Sequence, residues 1–269
     1  MTAERLIAVA RAYGCEAGVC PFSAVEEELL PCRAVNRLPQ AAKTVLCVLF
    51  PYRFPGDPPQ NLSRYAAVAD YHTAAGAVLA HIAQELRIAD PEGRYEPFMD
   101  NSPLPEVRLA VAAGLGVRGD NGLFFSHTYG SFVFIGAVVT DREVGVKACP
   151  PAECLHCGAC VAACPGGALA GDGTVDRRRC LSDITQRKGE LTADEQALLC
   201  RGGSAWGCDI CQEVCPLNRQ ATVAPHVCFD GVQPVLRESD LENLTGKAYG
   251  WRGKAVPARN LRLLEKSAE

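Results

Sequence analysis

The 269-residue sequence has little that would place it in an extreme class of protein. No apolar run approaches the roughly 20 residues that span a bilayer, and the N-terminus lacks the basic, apolar and small-residue order of a secretory signal. The net charge is only −4, so the chain has no general attraction for nucleic acid phosphates. These absences predict a globular, cytoplasmic protein without a membrane partner.

What the sequence does contain is 15 cysteines, of which eleven lie between positions 149 and 228. Disulfides suit short exported scaffolds, whereas a reducing cytosol keeps thiols free to bind metal. The uneven distribution predicts three parts. They are an α/β domain at 1–148, an iron–sulfur domain at 149–228, and a C-terminal extension at 229–269 that packs on the rest.

Segments of the first part have helical or strand-like periodicity, which predicts an α/β or α+β fold. Apolar side chains at three- and four-residue spacing indicate helices, and short apolar runs indicate buried strands. The segments are, in order, a helix at 3–14, a strand at 44–50, a helix at 68–86, a helix at 105–113 and a strand at 131–140. His72 lies on the apolar stripe of the second helix. The glycine-rich segment 114–122 predicts close approach of the backbone to another group.

The strongest pattern is C-x₂-C-x₂-C-x₃-C-P at 154–165, which is the ligand run of bacterial ferredoxins with two 4Fe–4S clusters. The first three thiolates of such a run bind one cluster, and the fourth binds the other. Residues 208–216 repeat the ending of this run, so each stretch supplies ligands to both clusters. The first cluster is therefore expected to be held by Cys154, Cys157, Cys160 and Cys215.

The second cluster is expected to be held by Cys164, Cys208, Cys211 and one more cysteine. The second motif lacks a third closely spaced thiol, and Cys180 and Cys200 are the nearest candidates for the eighth ligand. Zinc is the alternative, but a tetrahedral zinc site does not explain both CxxxCP endings. His156 is interpreted as a loop residue. The other thiols are interpreted as buried or incidental: Cys15, Cys20, Cys32, Cys47, Cys149 and Cys228.

Further short matches extend along nearly the whole chain, from about residue 6 to 262. They are Tyr71 and His72, then 98–100, Pro103 and Glu106, then 113–116, Gly119 and Asn121, then 130–131, 134–136, 179–182, Thr185, 207–211, 214–216 and 218–219. In this order they resemble the epoxyqueuosine reductase family, cobalamin-dependent enzymes of queuosine biosynthesis whose catalytic half is related to reductive dehalogenases.

The resemblance implies a cobalamin-binding N-terminal domain followed by a ferredoxin-like domain with two 4Fe–4S clusters. It implies that Cys180 is the eighth cluster ligand, and that Gly119, Asn121 and Ser131 lie near the cobalamin. Asp100 corresponds to the family's proton donor, and burial is expected to raise its pKa. The alternative is that Asp100 caps the helix that follows Ser102 and Pro103.

The sequence also departs from the family. Where the family usually has Trp, Lys and Thr, this chain has Val117, Asp120 and Gly122. Val107 replaces an Arg, and Gln186-Arg187 replaces a Glu. The sequence ends about where the family's helical-repeat domain, which grips tRNA, would begin.

These observations leave three functions to weigh. The first is a monomeric oxidoreductase that reduces epoxyqueuosine in tRNA or a related epoxide, with an external ferredoxin or flavodoxin as donor. The second is a ferredoxin-like electron-transfer or accessory protein without cobalamin, which the change from Lys to Asp120 favours. Reductive dehalogenation is less favoured, because those enzymes typically carry a twin-arginine leader.

Overall fold

A computed structural model of the chain describes residues 1–268. Within them, the strands are β1 (Glu16–Pro21), β2 (Thr44–Pro51), β3 (Tyr95–Met99), β4 (Gly116–Arg118), β5 (Phe124–Ser126) and β6 (Val133–Thr140). The α-helices are α1 (Ala3–Ala12), α2 (Arg64–Ala67), α3 (Tyr71–Ala89), α4 (Glu106–Ala112), α5 (Ala159–Ala163), α6 (Leu181–Thr185), α7 (Ala193–Gly202), α8 (Ile210–Glu213) and α9 (Ala255–Ala268). The predicted mixture of helix and sheet is confirmed.

The main sheet has four strands in the order β1-β2-β6-β3, and every neighbouring pair is antiparallel. The central strand β2 is buried along its whole length. Because successive side chains of a strand point to opposite faces, β2 contributes to two separate cores. Leu46, Val48 and Phe50 face one core, and Val45, Cys47 and Leu49 face the other.

Helices α1 and α3 pack on the first face of the sheet. Helix α3 begins where the Asp70 side chain accepts a hydrogen bond from the backbone N–H of His72, and it buries Leu79, Ile82 and Leu86. Val68 precedes this helix. The expectation that His72 lies on the apolar stripe is wrong, since its side chain is 43% exposed and bonds to acidic residues in the first turn.

Helix α4 lies on the second face, where its buried residues join the core formed with Cys47 and Val139. The strand β3 leads to this helix through a loop that contains Asp100. The hairpin formed by β4 and β5 follows the helix and continues into β6. The Asp100 loop and the glycine-rich hairpin therefore precede and follow α4 in the sequence.

The cysteine-rich segment is built from short helices. Helix α5 lies beside α8, so the two cysteine motifs meet, and α6 and α7 share a small apolar core that includes Leu181 and Leu199. Helix α7 begins with a capping box formed by Thr192 and Glu195.

The C-terminal segment packs against the first part of the chain. Trp206, Tyr249 and Leu261 belong to the same hydrophobic core as Leu6 and Phe50. The side chain of Asn260 donates hydrogen bonds to the backbone oxygens of Thr185 and Ala205, both at 2.7 Å. Residues of all three predicted parts thus share one core. Among the described residues, no helix has the length and apolar character needed to cross a membrane.

Candidate functional site

A cavity of about 420 Å³ lies between the sheet and the cysteine-rich segment. Acidic side chains, Asp100 and Glu106, line one part of it, and Cys180, Cys208 and Cys211 line another. Its walls are largely aromatic and apolar: Tyr52, Tyr65, Tyr71, Val107, Leu123, Phe124, Val133, Phe134, Ile135, Leu169 and Val175. A volume of this size suits a small-molecule ligand or cofactor. The predicted proton donor and part of the predicted iron–sulfur ligand set therefore line the same cavity.

Asp100 occupies a strained loop at the end of β3. Asp100 and Asn101 both have left-handed backbones, with φ values of 46° and 36°, which non-glycine residues adopt infrequently. The Asp100 Oδ2 atom accepts hydrogen bonds from His72 Nε2 at 2.7 Å and from the Tyr71 hydroxyl at 3.1 Å. On the other side of the imidazole, Nδ1 of His72 donates to Asp70 Oδ1 at 2.7 Å. His72 is therefore held between two carboxylates.

This arrangement determines which group carries the proton. The hydrogen bond from His72 lowers the pKa of the Asp100 carboxyl, and the same hydrogen bond raises the pKa of His72 to about 9. The expectation that burial raises the pKa of Asp100 is therefore wrong, because the charged partner outweighs desolvation. At neutral pH Asp100 is a carboxylate and His72 is an imidazolium. Asp100 also caps no helix, since α4 begins after Pro105.

Glu106 is a second protonated group on the cavity wall. Desolvation, together with the nearby charge of Asp100, raises the pKa of its carboxyl to about 8. Sequence reasoning noted Glu106 only as a motif match. No signal in the sequence distinguishes it from an exposed glutamate, because its desolvation comes from the walls of a cavity formed by distant segments.

The thiols form two groups, each drawn from distant parts of the chain. Cys154, Cys157, Cys160 and Cys215 line one small cavity. Burial raises the pKa of the Cys215 thiol, and Cys157, Cys160 and Cys154 raise it further. Four thiols from two distant stretches around one small cavity fit a site that would hold a 4Fe–4S cluster.

The second group contains Cys164, Cys180, Cys208 and Cys211. Burial, with smaller effects from Asp209, Cys180 and Cys164, raises the pKa of the Cys208 thiol to about 11. Cys200 is not part of the group, since it lies on α7 with its Sγ atom 3.5 Å from the backbone oxygen of Leu263 on α9. Of the two candidates for the eighth ligand, the geometry favours Cys180.

The three residues expected near a cobalamin differ in their surroundings. Asn121 lines both the large cavity and the small one. Its buried Nδ2 atom has no hydrogen bond of ordinary geometry among the described residues, although the amide lies near enough to Cys211 to oppose the rise in pKa that burial causes in that thiol. Ser131 lines the large cavity, but its hydroxyl donates to Gln212 and accepts from Asn218, both at 2.9 Å. Gly119 lines neither cavity.

The need for glycine at 119 has a local reason. A Cβ atom there would lie 2.5 Å from Cε2 of Phe125 and 2.7 Å from Oδ1 of Asn121. Gly119 thus makes room for the Asn121 side chain.

A further cavity of about 480 Å³ adjoins the large cavity, because both include Glu106 and Val107 in their walls. The unpartnered amide, the aromatic walls and the combined space fit a large cofactor together with a substrate.

Two family models match the sequence. A model for a 4Fe-4S double cluster binding domain matches residues 153–218, and a model described as epoxyqueuosine reductase QueG matches residues 33–101. The first covers all the predicted cluster ligands. The second ends just after Asp100 and includes β2, α3 and β3.

Known proteins with similar sequences and structures agree with these models. An epoxyqueuosine reductase of Aliivibrio fischeri is 35% identical over 190 residues, which are 70% of this chain and 50% of that protein. The chain thus spans about half the length of that relative. The structure of epoxyqueuosine reductase from Streptococcus thermophilus has a TM-score of 0.83 at 24% identity, covering 98% of this chain and 81% of that one.

Two further structures share the fold. A crystal structure of epoxyqueuosine reductase with an epoxyqueuosine-modified tRNA-Tyr stem loop has a TM-score of 0.80 at 24% identity, over 97% of this chain and 80% of that one. A reductive dehalogenase, whose structure suggests a mechanism for B12-dependent dehalogenation, has a TM-score of 0.51 at 15% identity. It aligns with 97% of this chain and 36% of that one. At these identities the likeness concerns the fold.

Proposed function

Because this chain belongs to the epoxyqueuosine reductase family, we propose that it is an iron–sulfur oxidoreductase that reduces an epoxide with cobalamin and two 4Fe–4S clusters. The substrate is epoxyqueuosine in tRNA or a related epoxide. One observation carries the proposal: a single cavity is lined by the Asp100 proton site and by three thiols of the second ligand group. Reduction of an epoxide requires both functions to reach the same reacting atoms.

The cluster ligands follow from the two groups of thiols. Cys154, Cys157, Cys160 and Cys215 hold the first cluster, and Cys164, Cys180, Cys208 and Cys211 hold the second. When bound, the clusters deliver single electrons and cobalamin supplies the cobalt centre that passes them to substrate. Asn121 offers its unpartnered Nδ2 hydrogens to the cofactor, while Ser131 and Gly119 support the position of Asn121 and the cavity wall.

The protein's own groups supply the protons. Conversion of an epoxide to an alkene consumes two electrons and two protons, and the epoxide oxygen leaves as water. Two groups are protonated at neutral pH: the Glu106 carboxyl on the cavity wall, and the His72 imidazolium, which contacts Asp100 on that wall. Asp100 accepts the proton from His72 Nε2 and passes it to the leaving oxygen, and Glu106 supplies the second. Tyr71 orients the Asp100 carboxylate through its hydroxyl.

The first group of thiols is the more accessible of the two to an electron donor. Cys157 is exposed and the neighbouring Leu155 is 68% exposed, whereas the second group lies on the large cavity. A ferredoxin or flavodoxin of low potential can therefore approach the first cluster without blocking the substrate cavity. The tRNA stem loop seen with a relative supports tRNA as the partner at that cavity. The protein acts as a cytoplasmic monomer.

The test is anaerobic purification after supply of cobalamin, followed by metal analysis and turnover of an epoxyqueuosine-modified tRNA stem loop. We expect about eight iron atoms and one cobalt atom per chain, since each cluster contains four irons. We also expect product formation with a chemical reductant of low potential. Zinc in place of iron would refute the proposal.

The second candidate is an electron carrier without cobalamin. Asp120, an anion where the family has a cation, favours it. This candidate predicts about eight iron atoms with no cobalt uptake and no turnover. Eight irons, stoichiometric cobalt and turnover of a free epoxide but not of the tRNA stem loop would retain the reductase and change its substrate.

A further inference from the structure

Asp120 is a buried acid beside the first group of thiols. Its side chain is 8% exposed, and it lines the same small cavity as Cys154, Cys157 and Cys160. A carboxylate oxygen of Asp120, the Sγ atom of Cys154 and a ring nitrogen of His156 all lie within 4.8 Å of one another. The acid therefore lies against the sulfur atoms that would surround the first cluster.

His156 holds this carboxylate in place. Its Nδ1 atom donates a hydrogen bond of 2.7 Å to Asp120 Oδ1, and its Nε2 atom lies 3.3 Å from Oε2 of Glu153. His156 has a left-handed backbone with φ of 49°. The backbone N–H of Cys154 also donates to the oxygen of Arg118 at 2.9 Å, which joins the two loops. The interpretation of His156 as a simple loop residue thus misses its contact with two acids.

Burial decides how strongly each acid acts on the cluster. The attraction or repulsion between two charges rises as solvent is excluded, and Asp120 is far less exposed than Glu153, at 8% against 60%. Negative charge close to an iron–sulfur cluster disfavours the addition of an electron. Cluster potentials depend on net charge, on hydrogen bonds to the sulfur atoms and on solvent exposure.

We propose that Asp120, held by His156, lowers the reduction potential of the first cluster. A cluster bound by the first group of thiols would then give up its electron more readily than it would without this charge. The pair of Asp120 and His156 acts as a positioned charge and does not bind the cluster iron. This inference rests on the proposed ligand groups but does not depend on which epoxide is reduced.

The test measures the midpoint potential of each cluster by anaerobic redox titration of the fully loaded protein, followed by electron paramagnetic resonance. Cys154→Ser and Cys180→Ser assign the two signals. In Asp120→Asn, which removes the charge and keeps the shape, we expect the first potential to become more positive. The reduced-to-oxidised ratio at a fixed applied potential should rise about tenfold, or about 59 mV for one electron. The second potential should not change.

Glu153→Gln is the matched control, because it removes the same formal charge from the exposed side of the same imidazole. We expect it to change the ratio by less than about threefold, since solvent screens its charge. His156→Asn tests the positioning, because Asn tolerates a left-handed backbone. The effect of His156→Asn on the potential of the first cluster should disappear in the double variant with Asp120→Asn, because His156 acts only through Asp120.

Three results would overturn the inference. The first is an unchanged potential of the first cluster in Asp120→Asn with full iron content. The second is loss of four irons in that variant, which would assign Asp120 to cluster assembly. The third is an equal shift in Glu153→Gln. A wild-type protein that never holds a first cluster would instead refute the proposed function, so the two failures are distinguishable.

Discussion

The Nε2 atom of His72 lies 2.7 Å from Oδ2 of Asp100, so a residue at the start of α3 controls the charge of the loop after β3. The backbone N–H of Asn101 and the Tyr71 hydroxyl also donate to the Asp100 carboxylate, and both add to the lowering of its pKa. The proton of the proposed acid is thus stored on the histidine, where solvent can replace it, and not on the aspartate itself.

Asp100→Asn should retain about eight irons and bound cobalamin but lose turnover by roughly 10²–10⁴-fold, because an amide cannot relay the proton from His72. Iron, cobalt and single-turnover product formation are measured on the same preparation. Asp194→Asn, at an exposed position on α7, is the control and should behave as wild type. Undiminished turnover in Asp100→Asn would remove Asp100 from the mechanism.

The raised pKa of His72 predicts a loss of activity at alkaline pH. Its folded pKa of about 9 lies above the ordinary value of 6.5, so its interaction with Asp100 is complete below pH 6.5 and is lost as pH rises through 9. Turnover of the wild type should fall over that upper range. In His72→Gln the turnover rate should already be low at pH 7, and it should not fall further over the upper pH range in which the wild-type histidine loses its proton. A profile of single-turnover rates against pH measures both, and a wild-type fall that persists unchanged in His72→Gln would contradict the assignment.

The buried carboxyl of Glu106 is expected to destabilise the folded protein at alkaline pH. Its folded pKa of about 8 lies above the ordinary value of 4.5, so ionisation costs stability progressively as pH rises from 4.5 to 8. Glu106→Gln removes this cost and should raise the free energy of unfolding at pH 8 by roughly 1–3 kcal/mol, with little effect at pH 4.5. Denaturant midpoints at the two pH values measure it. Equal effects at both pH values would show that Glu106 is ionised normally.

Cys180→Ser should reduce the iron content from about eight to about four atoms per chain, since a cluster with three thiolates is easily lost. Cys200→Ser is the matched control, because Cys200 lies on α7 away from both ligand groups, and it should retain all the iron. Iron and sulfide analysis after anaerobic reconstitution measures the difference. Loss of iron in Cys200→Ser instead would exchange the two assignments.

Asn260→Ala should destabilise the chain by roughly 2–4 kcal/mol, because the backbone oxygens of Thr185 and Ala205 would lose their buried donor. These oxygens belong to the cysteine-rich segment, so the change should also speed the loss of iron. Asn243→Ala, at an exposed position, is the control. Denaturant midpoints and iron release rates are measured together. A midpoint equal to that of Asn243→Ala would show that α9 is only loosely attached.

Several elements could be read from the sequence because they depend on local periodicity. The predicted segments 3–14, 44–50 and 105–113 appear as α1, β2 and α4 with ends displaced by a few residues. The edge strands β1 and β3 were not predicted, since Gly18 and Pro97 interrupt their apolar pattern and only pairing with β2 and β6 makes them strands. His72 was misplaced because the helix begins at Asp70, after Val68 rather than before it.

The sequence by itself determined the spacing of the two cysteine motifs, because ligand spacing within a tight loop is a local property; the exchange of ligands between the two motifs stays a prediction. The tertiary structure alone decided the protonation of Asp100, His72 and Glu106 and the contact of Asp120 with His156. Each of these depends on the distance to a charge, or on the exclusion of water, that residues remote in the sequence provide. Metal-ligand motifs, which depend on residue type and spacing, could therefore be predicted from the sequence. Protonation states, which depend on nearby charges and on solvent access, could not.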